Sequence, residues 1–383
     1  MIKTQLVREG LVELEVPELS SYRAPSGDYV PSLAPVFYNP HMELSRDLSV
    51  LACAVFSRGC SIEVCDPMAG VGVRGLRYAK EVEGVSSAVL NDRSPLAQEL
   101  LRRNVELNKL ENVKIMKEDA NVLLNSNRFD LVDLDPFGSP STFLDSACRG
   151  LKPRALLLVT ATDTAPLCGR GERACLRKYS AKPLRTEYCR EIGLRILIGS
   201  AQRTAAKFGI SLEPVFSHAT RHYFRVGFLA RRSRSLADTL LKRQGMISHC
   251  FACGRRKVYE GWGLNVEEVC ACGNRLRHAG PMWLGELGKR DFLHEMSREL
   301  ERRSFKRATE ERRLLQLLLL EAEGPPTFYS IHKLCERMRI SPPKLDRIIE
   351  KLQGMGFQAT RTHFSPDGIR TDAPLEALEQ QLR

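Results

Sequence analysis

Long apolar runs are missing from this sequence. The most apolar helical stretch, Leu314–Leu320, is hemmed by Arg312, Arg313 and Glu321 and falls far short of the roughly 20 residues a bilayer-spanning helix needs. Met1–Gly10 mixes charges with isolated apolar residues and does not resemble a secretory leader, so none is expected. There is no internal repeat and no long low-complexity segment. Nor is there a paired-cysteine framework. Most of the 12 cysteines stand singly in apolar or helical contexts, as Cys53, Cys148 and Cys189 do, and read as small core residues rather than a secreted disulfide scaffold. These absences together lead to the expectation of a cytoplasmic protein with no membrane partner. Acids are also in deficit: 46 Asp and Glu face 58 Lys and Arg, for a net charge of +12. A balance this basic favours a polyanionic partner such as nucleic acid.

What is present is enough for a large core. The chain has 383 residues, 43% of them hydrophobic, which suggests two domains and room for a small third. It is organised around Leu131-Val132-Asp133-Leu134-Asp135-Pro136-Phe137-Gly138, an apolar strand that ends abruptly in an acid, a proline and an aromatic. In open α/β sheets, ligands sit at that end of a strand. Asp135 would hang a carboxylate into the crevice, Pro136 would fix the chain direction and Phe137 would offer a flat apolar face. That trio suits a planar ring carrying an amino group. On its own, the same tripeptide is as readily a turn with a core aromatic.

Upstream company strengthens the reading. Ser61–Cys65 is a short strand followed by Asp66-Pro67-Met68-Ala69-Gly70-Val71-Gly72-Val73-Arg74-Gly75 and a helical pattern. Gly70 and Gly72 would allow a tight turn close to a ligand, and Gly75 close helix packing. The next strand ends in Asp92, placed to take ribose hydroxyls, and Val113–Met116 leads to Asp119-Ala120, where an acid can reach an adenine amine. Asp66 puts negative charge where a pyrophosphate would otherwise lie, so a phosphate-free cationic cofactor fits better, and S-adenosylmethionine has that character. Arg46, near the start of a helix beginning at Glu43, runs against the macrodipole preference and suggests a specific partner such as a cofactor carboxylate.

The ordered set Phe37-Tyr38-Asn39-Pro40, Ser45-Arg46-Asp47, Asp66 to Gly75, Asp92, Asp119-Ala120 and Asp135-Pro136-Phe137-Gly138 resembles the archaeal and eukaryotic tRNA (guanine(26)-N2)-dimethyltransferase family, over most of the chain. The expected fold is α/β: a Rossmann-like class I S-adenosylmethionine-dependent methyltransferase sheet, with a zinc-binding and winged-helix-like α+β domain after it. The resemblance implies that Arg46, Arg74, Asp92, Asp119 and Ala120 contact the methyl donor while Asp135 and Phe37 hold the guanine of a tRNA. The implied reaction turns the guanine out of its stack against Phe37 or Phe137, with its amine donating to Asp135 and the carbonyl of Pro136. A DNA or rRNA amino-methyltransferase, or a nucleic-acid-binding protein without activity, would share parts of this pattern.

The expected division is an N-terminal segment 1–49 reaching the active site, a methyltransferase domain 50–240 and a tRNA-binding domain 241–383. Val7–Val16 alternates like a hairpin or edge strand. Segment 163–185, with six basic residues, reads as a mobile, loop-rich flap that meets phosphates, with a solvated surface loop as the alternative. Helices are expected over 141–151 and 187–208, the second followed by strands 212–216 and 223–230, which must be antiparallel. Cys250-Phe251-Ala252-Cys253-Gly254 is answered by Cys270-Ala271-Cys272-Gly273, a set for structural zinc in module 248–276 with His249 as a possible substitute ligand. Further on, helices over 331–338 and 344–355, Ser341 as a cap, strand 357–364 and the turn at 365–368 outline a winged helix. A monomer is the expected state.

Overall fold

The computed structural model describes residues 2–262 and 265–383. The chain opens with a hairpin, β1 (Thr4–Glu9) and β2 (Val12–Pro17). Val12, Leu14 and Val16 point inward and are fully buried, as period-two alternation demands. After an irregular stretch come α1 (Glu43–Ser57), β3 (Ile62–Asp66), α2 (Val73–Glu81), β4 (Val85–Asn91), α3 (Pro95–Leu107), β5 (Val113–Met116), α4 (Ala120–Ser126), β6 (Phe129–Leu134), α5 (Leu144–Arg149) and β7 (Leu151–Ala161). Then follow α6 (Glu172–Tyr179), α7 (Cys189–Ala206), and the long pair β8 (Ile210–Thr220) and β9 (Tyr223–Arg232).

The central sheet runs β5-β4-β3-β6-β7-β9-β8. Strands β3 to β7 are parallel, while β9 is antiparallel to both β7 and β8. The expected antiparallel pair is therefore present, with a turn of only Arg221 and His222 between its strands. Parallel strands are covered on both faces and so read as continuous apolar runs. On β7, Leu156 and Leu158 belong to the core beneath α1, α2 and α3, whereas Leu157 and Val159 belong to the core beneath α5 and α7.

The hairpin is fastened to α3 by two asparagines one helical turn apart. Asn104 accepts from the Glu15 N–H and donates to its carbonyl, and Asn108 does the same with Glu13. The spacing works because one helical turn matches two residues of strand to within about 1.5 Å.

Beyond the sheet lie α8 (Arg234–Lys242), β10 (Gln244–His249), β11 (Arg256–Glu260), β12 (Arg277–Trp283), α9 (Arg290–Glu301) and α10 (Ala308–Glu321). The chain ends with β13 (Tyr329–Ser330), α11 (Ile331–Met338), α12 (Leu345–Gly354), β14 (Ala359–Arg361), β15 (Gly368–Thr371) and α13 (Leu375–Leu382). These last elements have their own small core, with sheet order β13-β15-β14. Strands β10 and β12 instead share the α7-side core through Ile247, Ala279, Met282 and Trp283. No helix of the described residues is long and apolar enough to cross a membrane.

Two expectations need correction. Segment 163–185 is largely helical rather than loop: Pro166–Arg170 is a π-helical turn and α6 follows it, with Leu167, Cys175 and Tyr179 buried beneath and 180–185 irregular. The helix expected over 141–151 is shorter, because Pro140–Thr142 forms a separate 3-10 turn before α5.

Candidate active site

The carboxyl ends of β3, β4, β5 and β6 surround a cleft of about 410 Å³. Gly70, leaving β3, adopts φ +57°, and a Cβ there would stand 2.9 Å from the Phe37 carbonyl oxygen. The glycine therefore lets residues 35–39 lie against the loop and form one wall. Gly72 also has positive φ, but its missing Cβ faces Leu101 and Leu90, and that of Gly75 faces Leu90. These two glycines serve helix packing, and only Gly70 lines the cleft.

Asp92 accepts from the Gly70 N–H at 3.0 Å through Oδ2 and from the Ser94 N–H at 2.9 Å through Oδ1. Asn91, fully buried beside it, donates to the carbonyls of Pro67 and Glu118 and accepts from the Glu118 N–H. One side chain thus ties three strand ends together. Asp119 caps α4 by accepting from the Asn121 N–H at 2.9 Å, with Ala120 next to it on the cleft wall.

At the end of β6, Asp135 and Pro136 reach the cleft, and Phe137 projects at its mouth, 71% exposed. The Phe37 and Phe137 rings meet edge to face, their centroids 4.6 Å apart. Arg74 reaches across from α2 and donates to Asp135 Oδ2 at 2.7 Å. Both Arg74 contacts with this carboxylate go to Oδ2, which leaves Oδ1 for an incoming donor.

Behind Asp135, buried Asp133 takes both terminal nitrogens of Arg225, at 2.7 and 2.8 Å, and the more distant Arg74 at 3.5 Å. Burial alone would raise the Asp133 carboxyl, but Arg225 and Arg74 hold it below the usual carboxylate range. Asp66 has the opposite balance: burial first and then the charge of Asp133 push its carboxyl up to about 8 against the pull of Arg74. It accepts from the Gly75 N–H and lies behind the cleft. Repulsion of phosphate by Asp66, as the sequence suggested, is therefore not what the structure displays. Asp92, Glu118, Asp119 and Asp135 line the cleft instead, with Arg93 as the cation among them.

Arg46 is placed away from the cleft lining. It grips Glu9 through two contacts of 2.6 Å and donates to the Asn39 carbonyl at 3.0 Å. Arg77 reaches the same Glu9 at 3.1 Å. Tyr38, next to Phe37, is buried and hydrogen-bonds Glu9. Asn91, Arg93, Glu118, Met68, Phe143 and Thr162 line the cleft without having been singled out in the sequence. The doublets Asn91-Asp92 and Glu118-Asp119 were the readable signal for two of them.

A second cluster lies outside the sheet. The Sγ atoms of Cys250, Cys253, Cys270 and Cys272 all lie within 4.8 Å of one another. Two pairs stand at 3.5 and 3.6 Å, close to the roughly 3.8 Å between sulfurs around a tetrahedral zinc with about 2.3 Å bonds. The donor set therefore fits a four-thiolate centre. His249 is not part of this group of ligand atoms, and its Nδ1 meets Tyr188 Oη at 3.1 Å. The other cysteines divide. Cys53 and Cys148 are core residues, but Cys189 is only half-buried.

Known proteins resemble the chain in sequence and in fold. Residues 10–383 match the family model described as N2,N2-dimethylguanosine tRNA methyltransferase. Two tRNA (guanine(26)-N(2))-dimethyltransferases are each 42% identical to the chain. That of Methanobrevibacter smithii aligns over 100% of this chain and 97% of the relative, and that of Methanothermobacter thermautotrophicus over 98% of each. Trm1 from Pyrococcus horikoshii, solved in complex with S-adenosyl-L-methionine, superposes with a TM-score of 0.88 at 35% identity, covering 99% of this chain and 100% of that one. Matched along nearly its whole length in sequence and in fold, the chain belongs to the N2,N2-dimethylguanosine tRNA methyltransferase family.

Proposed function

We propose that the chain transfers one or two methyl groups from S-adenosylmethionine to N2 of guanine 26 in tRNA. The observation that carries this reading is Asp135, held by Arg74 on one oxygen and without a hydrogen-bond partner on the other among the described residues, between a pair of aromatic faces and an acidic cleft. The donor, when bound, supplies an electrophilic methyl on a cationic sulfur. Four cleft carboxylates favour such a cation and disfavour phosphate. Asp92 would take the ribose hydroxyls, Asp119 and Ala120 the adenine, and Gly70 the close backbone approach. Asp66, Gly72 and Arg74 support this cradle from behind, and Arg46 does so through Glu9 and the Asn39 carbonyl.

The guanine leaves its stack, at a cost on the order of a few kcal/mol, and lies against Phe37 or Phe137. Its exocyclic amine is a poor nucleophile because the lone pair is delocalised into the ring. Asp135 Oδ1, joined by the Pro136 carbonyl, accepts the amine N–H groups, orients the nitrogen and takes up, or passes to solvent, the proton the amine gives up with each methyl gained. The chain's contribution is thus positioning and electrostatics.

The four cysteines would hold one structural zinc with no open coordination position. The elements from β13 to α13 form a winged-helix-like module that, with the rest of 241–383, would carry tRNA binding in a cytoplasmic, monomeric enzyme. Methyl transfer to a tRNA transcript, to the same transcript with guanine 26 replaced, and to duplex DNA tests the reading. Nucleoside mass spectrometry is expected to find N2-methyl- and N2,N2-dimethylguanosine from the first substrate only. Equal transfer to duplex DNA would refute it.

A further inference from the structure

The acidic cleft poses a problem for its own substrate: a polyanion must be brought to the mouth of a site lined by four carboxylates. An answer lies directly beyond Asp135. Between Thr164 and Thr186 the sequence has six basic residues and Glu172 as its one acid. The structure exposes all six: Arg170, Arg173, Arg177, Lys178, Lys182 and Arg185. Two of them have carboxylate partners. Lys178 reaches Asp163 at 2.9 Å, and Lys182 reaches Glu172 at 3.4 Å. Arg170, Arg173, Arg177 and Arg185 have no acidic partner within 4 Å among the described residues. Arg173 and Arg177 are one turn apart on α6, a like-charge spacing that weakens a helix unless something neutralises it.

The segment is anchored rather than loose. Tyr179, buried on the inner face of α6, donates to Asp163 at 2.6 Å and accepts from Ser139 at 2.8 Å. Its carbonyl accepts from Arg203 at 2.8 Å. Gly138, the residue after Phe137, donates to Thr162 Oγ1 at 2.8 Å, and Thr162 itself lines the cleft. Rigid contacts therefore connect the arginines of α6 to the lip where a base enters.

Resting on the proposed function, we propose that Arg170, Arg173, Arg177 and Arg185 form a fixed phosphate-binding rim that holds the tRNA backbone next to the guanine entering the cleft. Charge is divided by location: the neutral base and the cationic donor go inside, and the phosphates stay on the arginine face. Arginine suits this task because its planar fork matches phosphate oxygens.

The test is the charge-reversal pair Arg173→Glu/Arg177→Glu in the full chain, beside a matched exposed pair on α3 and the edge strand β5, Arg102→Glu/Lys114→Glu. For the α6 pair, KM for tRNA is expected to rise about tenfold or more, and the slope of log affinity against log salt to become shallower by roughly two. Its kcat at saturating tRNA and its Kd for S-adenosylmethionine should stay within about twofold of wild type, while the control pair leaves KM unchanged. An unchanged KM and salt slope, or a loss confined to kcat, would overturn the rim. Arg173→Gln/Arg177→Gln repeats the test if the reversal impairs donor binding, and the same two results decide it. Failure of the wild-type chain to methylate tRNA would instead strike the proposed function.

Discussion

At the scale of single residues, two neighbouring carboxylates are set to opposite states by their surroundings. Asp133 is kept ionised by two arginines, and Asp66 is kept protonated up to about pH 8 by burial and by Asp133. Because Asp66 ionises near 3.8 once unfolded, the folded chain binds the extra proton between those values. This group therefore costs stability increasingly as pH rises from about 4 to about 8, and no further above that. Asp66→Asn removes the dependence while leaving an oxygen for the Gly75 N–H. The melting temperature of the variant should gain on wild type across that window and hold a constant lead above it. A gap that narrows with rising pH would contradict this. Arg74 gives a second residue-scale prediction. Arg74→Lys keeps the charge but loses the geometry on Asp135, so kcat should fall on the order of tenfold or more with the Kd for donor little changed. Lost donor affinity at normal kcat would make Arg74 a cofactor ligand instead. The acids and glycines of the cleft were legible because each follows a short apolar strand. The partner of Arg46 was not, since Glu9 lies in another element and only folding brings the two together.

At the scale of elements, local pattern sufficed where a face is apolar and failed where anchoring is polar. The strands of the sheet and α7 declared themselves through buried apolar positions. Helix α6 did not, because it buries only Cys175 and Tyr179 and is fixed by hydrogen bonds to Asp163 and Ser139. The N-terminal hairpin is another polar attachment. Asn104 joins β2 to α3 and donates to the Val71 carbonyl in the glycine loop. Asn104→Ala should lower stability by about 1–3 kcal/mol, read from denaturant unfolding, and should weaken donor binding through the loosened loop. Unchanged stability would mean that water replaces the amide without cost.

At the scale of the whole molecule, a buried chain of charges joins the C-terminal module to the catalytic sheet. Arg195 pairs with Glu191, Glu191 with Arg370 at 2.9 Å, and Arg370 with Glu321 at 3.1 Å. His363 then links Glu321 to the Ala219 N–H on β8. The four-cysteine knuckle lies outside this chain and has very little apolar core. Stripping the proposed zinc with a chelator should therefore release one metal ion per chain and expose the amides of 248–262 and 265–276 to hydrogen exchange, while the Kd for donor is retained. Protection that survives chelation would show that the thiols hold the knuckle unaided.

The account rests most heavily on Asp135, and single-turnover transfer by Asp135→Asn addresses it directly. With saturating donor and tRNA transcript, methylated guanosine should fall by about 100-fold or more, while equilibrium dialysis finds donor binding close to wild type. A variant that methylates guanine 26 at nearly the normal rate would contradict the assignment of this carboxylate as the acceptor that orients the amine.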